Sequence, residues 1–238
     1  MLGVIPHGEG LRRLASLVMV IMDSPTHAKM PDGGSVEANH RIANNLALIA
    51  GLVRFQARKM PQESLLPAQD VRAWLQQISL RIDTVGRLHR LLTDNDGQAT
   101  VDLFTYLREI ADAALLALSM DGQTEILIDL EPNCVIPAKQ ASAVGLAVGE
   151  AITNVLKYSH PTGVPGKIGI TSRHGRDRGL VIEVADDGVG LPEGFDPHSS
   201  ESTGMDLMRA LAKQLSARLE FERRPIGLCI RIEMPPAD

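Results

Sequence analysis

The chain has 238 residues, 44% hydrophobic and 22% charged, enough for one large or two modest cores, and two domains are the starting expectation. A net charge of −5 weighs against a general nucleic-acid binder, which rests on a cationic surface, and an aromatic content of 3% requires an aliphatic core. Cys134 and Cys229 stand far apart with no CxxC and no Cys/His cluster, which argues against a disulfide framework or a structural zinc site and favours a reducing cytoplasm.

Residues 1–34 form an N-terminal segment of unassigned role. Its run "LASLVMVIM" is too short to span a bilayer and lacks a clean small-residue cleavage site, so a buried strand or short helix is expected there and no transmembrane segment. "MPDGG" then signals a turn, and a helix is expected from near Ser35, a plausible N-cap followed by Glu37 in the first turn. Ile42, Leu46, Ile49 and Val53 form one apolar stripe on it. At about 100° per residue, His40 falls opposite that stripe and is expected to face outward.

"MPQESLLPAQD" interrupts the pattern, and a second helix is expected from Val71 to Leu92. Val71, Leu75, Ile78, Ile82, Val85, His89 and Leu92 alternate steps of four and three, a heptad seam. Residues 35–93 therefore read as a helical hairpin, and two copies would close into a dimeric four-helix bundle. "TDNDGQAT" is the expected hinge.

From residue 101 to 238 helices and strands alternate. A helix is expected in "VDLFTYLREIADAALLALS", a strand in "TEILIDL", a long helix from Ala138 to Ser159, and strands in "KIGITSR" and "GLVIEVAD". A loop over about 191–203 precedes a helix near Gly204, and "RLEFER" and "GLCIRIEM" close the chain as an antiparallel pair. The overall expectation is α+β: a helical hairpin, then an α/β sandwich with helices on one face of a mixed sheet.

Three segments of this second domain carry polar chemistry. "GEAITNVLKYSHP" puts Glu150, Asn154, Lys157 and Tyr158 on one face of an otherwise apolar helix. A carboxylate, an amide, an ammonium and a phenol suit a magnesium nucleotide, although alone the segment reads equally as a polar helix face. "VADDGVGLPEGFD" follows a strand and supplies Asp186, Gly188 and Gly190 as D-x-G-x-G, where glycines admit close backbone approach and the acid can accept from an exocyclic amine. "STGMDLMRALAKQL" opens a helix whose free N–H groups, beginning around Ser202, Thr203 and Gly204, could receive phosphate oxygens. Each is weak alone; their order within one domain makes a composite signal.

These segments resemble the N box and the two glycine boxes of the GHKL (Bergerat-type) ATP-binding domain shared by histidine kinases and gyrase. "EANHRIANNLALIAGLVRFQAR" resembles the phosphoacceptor box of the HRxxN subfamily of bacterial histidine kinases, with Arg41, Asn44 and Asn45 following the histidine. The resemblance implies a two-component histidine kinase that uses ATP and Mg2+. It would autophosphorylate on His40 and pass the phosphoryl group to an aspartate of a response regulator receiver domain. It further implies that Glu37 orients His40 or favours its charged form, and that Asn44 assists phosphotransfer. Asn154 would ligate magnesium, Glu150 would order a magnesium-bound water, Lys157 would contact phosphate, Tyr158 would border adenine and Asp186 would accept from its amino group. With only about 35 residues before the histidine box, the expectation is either that input comes from a separate sensor protein or that the chain is a fragment of a longer kinase.

Two other readings compete with this one. A histidine phosphotransferase on a kinase scaffold would tend to lose the nucleotide-binding residues, which are retained here. An anti-sigma-factor-like GHKL kinase would not need the His40 hairpin. Asp206, in the first turn of the phosphate-binding helix, is expected to point outward, since inward it would repel a triphosphate. Among the other histidines, His89 is expected at a core or interface, His160 in a loop, and His174 and His198 in solvent.

Overall fold

The structure, a computed structural model, describes residues 67–94, 100–118, 124–132, 134–160, 164–175, 179–199 and 202–236, with isolated positions between 47 and 57. His40, Glu37, Asn44, the N-terminal segment 1–34 and nearly all of the first expected helix lie outside the described residues, although Ala47, Ala50, Gly51, Val53, Arg54 and Ala57 are helical. The described residues belong to one compact unit, His40–Asp238.

In chain order the elements are α1 (Ala68–Asp94), β1 (Thr100–Asp102), α2 (Leu103–Ala117), β2 (Thr124–Leu130), β3 (Val135–Pro137), α3 (Ala138–Tyr158), β4 (Gly166–His174), β5 (Leu180–Asp186), α4 (Thr203–Gln214), β6 (Arg218–Arg223) and β7 (Leu228–Met234). The five-stranded sheet has the order β2-β4-β5-β7-β6, parallel between β2 and β4 and antiparallel elsewhere. It is thus mixed, as expected, and closes with the expected antiparallel pair. Two elements were not anticipated: β1 and β3 pair antiparallel, with Val101 opposite Ile136. Consequently α2 starts two residues later than expected, with Asp102 as its N-cap accepting from the Thr105 N–H at 2.8 Å.

The apolar face of the sheet, Ile168, Ile170, Ile182, Val184, Ile230 and Ile232, lies under the helices and is essentially inaccessible. Its opposite face is polar. Glu183, at the centre of β5, receives Arg231 Nε at 2.8 Å and Arg173 Nη2 at 3.0 Å, and Arg224 stands 3.7 Å away. Burial pushes the Glu183 carboxyl up, but the hydrogen bonds and charges of Arg231 and Arg173 outweigh it and hold it below the usual range.

Helix α3 is buried almost all round from Ala141 to Leu156. Its small residues let neighbours come close: Gly145 lies against the Tyr106 ring of α2, and Gly149 faces Ile110 and the Thr84 hydroxyl. The Tyr106 hydroxyl donates to the Thr84 carbonyl at 3.4 Å, and burial pushes that phenol up.

The expected heptad seam on α1 is divided by its burial within the chain. Val85 and Leu92 are buried, but Leu75 is 50% and Ile82 40% exposed, and His89 is half-buried. The buried face is instead Leu80, Arg81, Thr84, Val85, Leu88 and Leu92, which packs on α2 and α3. A helix with two contact faces carries two overlapping stripes, and heptad spacing selected only one of them.

Candidate nucleotide site

The last turns of α3 set the floor of the site. Glu150 is 5% exposed, Asn154 and Lys157 are half-buried, and Tyr158, 65% exposed, stands at the rim. Their order along the helix grades from buried acid to exposed phenol. Burial lowers the Lys157 ammonium below its ordinary value; Glu150 opposes that shift and Arg81 adds to it.

Helix α4 closes on this floor. Ser202 is its N-cap, with Oγ accepting from the Met205 N–H at 3.3 Å, and its carbonyl accepts from the Asp206 N–H at 3.0 Å. Thr203 and Gly204 form the first turn, where backbone N–H groups lack helical partners. A Cβ on Gly204 would lie 2.9 Å from Glu150 Oε2 and 3.6 Å from Asn154 Oδ1, so this turn comes against both side chains only because it is glycine. Asp206 receives Arg209 Nη2 at 2.6 Å, and Arg209 Nη1 donates to the Pro197 carbonyl at 2.8 Å. The carboxylate in the first turn of α4 is therefore neutralised by its own helix.

The third wall follows β5. Asp186, 9% exposed, accepts from the Gly188 N–H at 2.8 Å. Burial raises its carboxyl, while hydrogen bonds from the Gly188 and Leu228 N–H groups pull the other way. Gly188 passes against Ser159, whose carbonyl accepts from the Val189 N–H at 2.9 Å. Gly190 has φ +69° and backs onto the Gly227 carbonyl.

Of the expected site residues, the fold brings Glu150, Asn154, Lys157, Ser202, Thr203 and Gly204 into one cluster, with Asp186 at the end of β5 and Gly188 and Gly190 on the loop that follows it, beside the end of α3. Sequence reasoning missed four participants. Arg81 of α1 donates Nε to Glu150 Oε1 at 2.6 Å and Nη2 to Oε2 at 2.9 Å, although 69 residues separate the pair. Gly227, at φ +77° in the β6–β7 turn, presses on the backbone of Asp186. Ser159 and His160 pin the glycine loop to α3: His160 Nδ1 lies 2.8 Å from Ser159 Oγ and Nε2 lies 3.3 Å from Asp187 Oδ1. Gly227 closes the sequence "PIG", in which nothing local points to Asp186. His174 sits 2.6 Å from Glu131, and exposed His198 meets Phe221 edge-on.

The donor set fits a magnesium nucleotide. Glu150 and Asn154 offer oxygens to a hard cation, Lys157 and the α4 N-terminus offer positive character, and Asn154 Nδ2 is buried with no hydrogen-bond partner among the described residues. An amide left unpaired in a buried floor has unmet capacity that a ligand can satisfy.

Comparison with known proteins agrees with this geometry. Residues 37–118 match the family described as "Histidine kinase", and residues 128–234 match the family described as "Histidine kinase-like ATPase domain". The chain is 28% identical over 219 residues to the blue-light-activated histidine kinase 2 of Erythrobacter litoralis, covering 90% of this chain and 60% of that protein. It is 29% identical over 188 residues to the sensor histidine kinase PdtaS of Mycobacterium tuberculosis, covering 77% of this chain and 34% of that protein. It thus spans less than two thirds of the length of either relative. The solved histidine kinase domain of the Erythrobacter litoralis EL346 blue-light activated histidine kinase superposes with a TM-score of 0.65 at 26% identity, covering 84% of this chain and 92% of that one.

Proposed function

For a chain that belongs to the histidine kinase family, we propose ATP-dependent phosphorylation of His40, followed by transfer to an aspartate of a response regulator receiver domain. The observation that carries the reading is the convergence of Glu150 and Asn154 on Gly204 at the N-terminus of α4.

In this mechanism Asn154 and Glu150 hold the magnesium end of ATP, Asn154 as ligand and Glu150 toward a bound water. Lys157 and the first-turn N–H groups around Ser202, Thr203 and Gly204 take phosphate oxygens. Tyr158 borders the base, and Asp186 accepts from its amino group beside Gly188 and Gly190. The ion supplies charge neutralisation, which phosphoryl transfer needs more than covalent help. His40 is the nucleophile, with Glu37 orienting it and Asn44 assisting transfer. Neutral imidazole is available near pH 7 because its ordinary pKa is about 6.5.

The domain division that accompanies this reading is 35–93 for the phosphotransfer hairpin and 101–238 for the ATP-binding domain, with 1–34 unassigned. The exposed Leu75 and Ile82 support a homodimer through the hairpin. Free, buried Cys134 and Cys229 suit a cytoplasmic location, and no described helix is long and apolar enough to cross a membrane.

The test is incubation with Mg-ATP followed by mass spectrometric mapping of phosphate under alkaline conditions. Phosphate on the peptide containing His40 is the expected result. Phosphate found only on a serine of an added partner would support the anti-sigma-factor-like reading instead. Uptake only from a phosphorylated receiver domain would support the phosphotransferase.

A further inference from the structure

We propose that Arg81, supplied by α1, is a positioning residue for the metal end of the nucleotide site, acting through Glu150. This rests on the Mg-ATP reading and extends the site beyond the ATPase-domain match, which begins at residue 128.

Arg81 and Glu150 are 3% and 5% exposed, and they meet in a two-pronged pair at 2.6 and 2.9 Å. Such a pair fixes both planes as well as supplying charge. A carboxylate this deep requires an ionised partner, and Arg81 takes one bond on each oxygen. An ionised carboxylate has about four acceptor positions, so roughly half its capacity stays open. The bond from Nη2 goes to Oε2, the oxygen that lies against Gly204 at the start of α4. Arg81 thus orients the oxygen that faces the proposed magnesium and phosphate side, one helical turn from Asn154.

Arg81 lies on the buried face of α1 that also carries Leu80, Thr84, Val85 and Leu88 and packs on α2 and α3, and its Nη1 is buried with no hydrogen-bond partner among the described residues. On the same face Thr84 lies against Tyr106 and Gly149. The metal end is therefore complete only when α1 is seated on α3. Groups that orient a metal's ligands typically change metal affinity by about 10–100-fold when removed.

The experiment titrates Mg2+ into the full chain in the presence of a fluorescent ADP analogue, for wild type, Arg81→Met, Arg81→Lys, Glu150→Gln and Arg81→Met/Glu150→Gln, with circular dichroism confirming that each is folded. Arg81→Met should raise the Mg2+ concentration needed for half-saturation about tenfold, with Arg81→Lys in between. The double variant should bind no more weakly than Glu150→Gln alone, because the two residues act in series. Unchanged or tighter Mg2+ binding in Arg81→Met, or losses that add in the double variant, would overturn the assignment. Wild type that binds no magnesium nucleotide at all would instead overturn the ATP reading on which it rests. If Arg81→Met misfolds, the isosteric Glu150→Gln and the lysine variant carry the comparison: wild-type Mg2+ affinity in both would overturn it.

Discussion

Gly227 makes the Asp186 wall of the site a property of two distant turns. Its φ of +77° and its contact with the Asp186 backbone leave no place for a side chain. Gly227→Ala should therefore cost about 1–3 kcal/mol of strain and also displace Asp186. Gly194 has a similar φ of +74° with open space around it, so Gly194→Ala should cost only about 1 kcal/mol and leave nucleotide binding intact. Thermal unfolding and nucleotide titration of the two variants check the contrast. Asp186 adds a pH prediction. Its pKa is raised, first by burial, so the free protein gains stability from proton uptake as pH falls through that raised value, above the usual aspartate range near 4. In the proposed complex the ionised carboxylate is the stronger acceptor for the adenine amine, so nucleotide affinity should fall over the same window. Affinity measured against pH should show that limb in wild type and lose it, at lower affinity, in Asp186→Asn. At this scale Glu150, Asn154, Asp186 and the glycines were legible because each lies in a local pattern. Arg81 and Gly227 were not, because their partners lie 69 and about 40 residues away and no local periodicity encodes a contact across elements.

Among the elements, α1 does two jobs with two faces. Leu88, 1% exposed on the face toward α2 and α3, should cost about 2–5 kcal/mol when cut to alanine. Leu75 and Ile82 lie on the other face, and Leu75→Asp with Ile82→Lys should leave that stability nearly unchanged while separating the proposed homodimer. Denaturant melts and light scattering distinguish the two outcomes; a dimer that survives the charge substitutions would contradict dimerisation through this seam. The long helices and the sheet strands were legible because each carries enough apolar residues to display its period. β1 and β3, three residues each, carry too few, and they exist because they pair with one another. The heptad spacing on α1 was real, but the choice between its two apolar stripes is made by α2 and α3, whose surfaces no single helix reveals.

For the whole molecule, the sheet separates two environments: an aliphatic core under the helices, and an opposite face where Arg231, Arg173 and Arg224 surround Glu183. The proposed nucleotide site lies at the helical layer's edge, where α3, α4 and the loop after β5 meet and where α1 is seated on α3. The architecture thus ties the proposed ATP site to α1, the second helix of the proposed phosphotransfer hairpin. The proposed site is expected to phosphorylate His40. Its most direct test is labelling with γ-labelled ATP and magnesium in wild type, His40→Gln and Asn154→Ala, followed by acid treatment. Acid-labile label in wild type that is lost in both folded variants is the predicted result. Label that survives in His40→Gln, or that is indifferent to Asn154→Ala, would contradict the account.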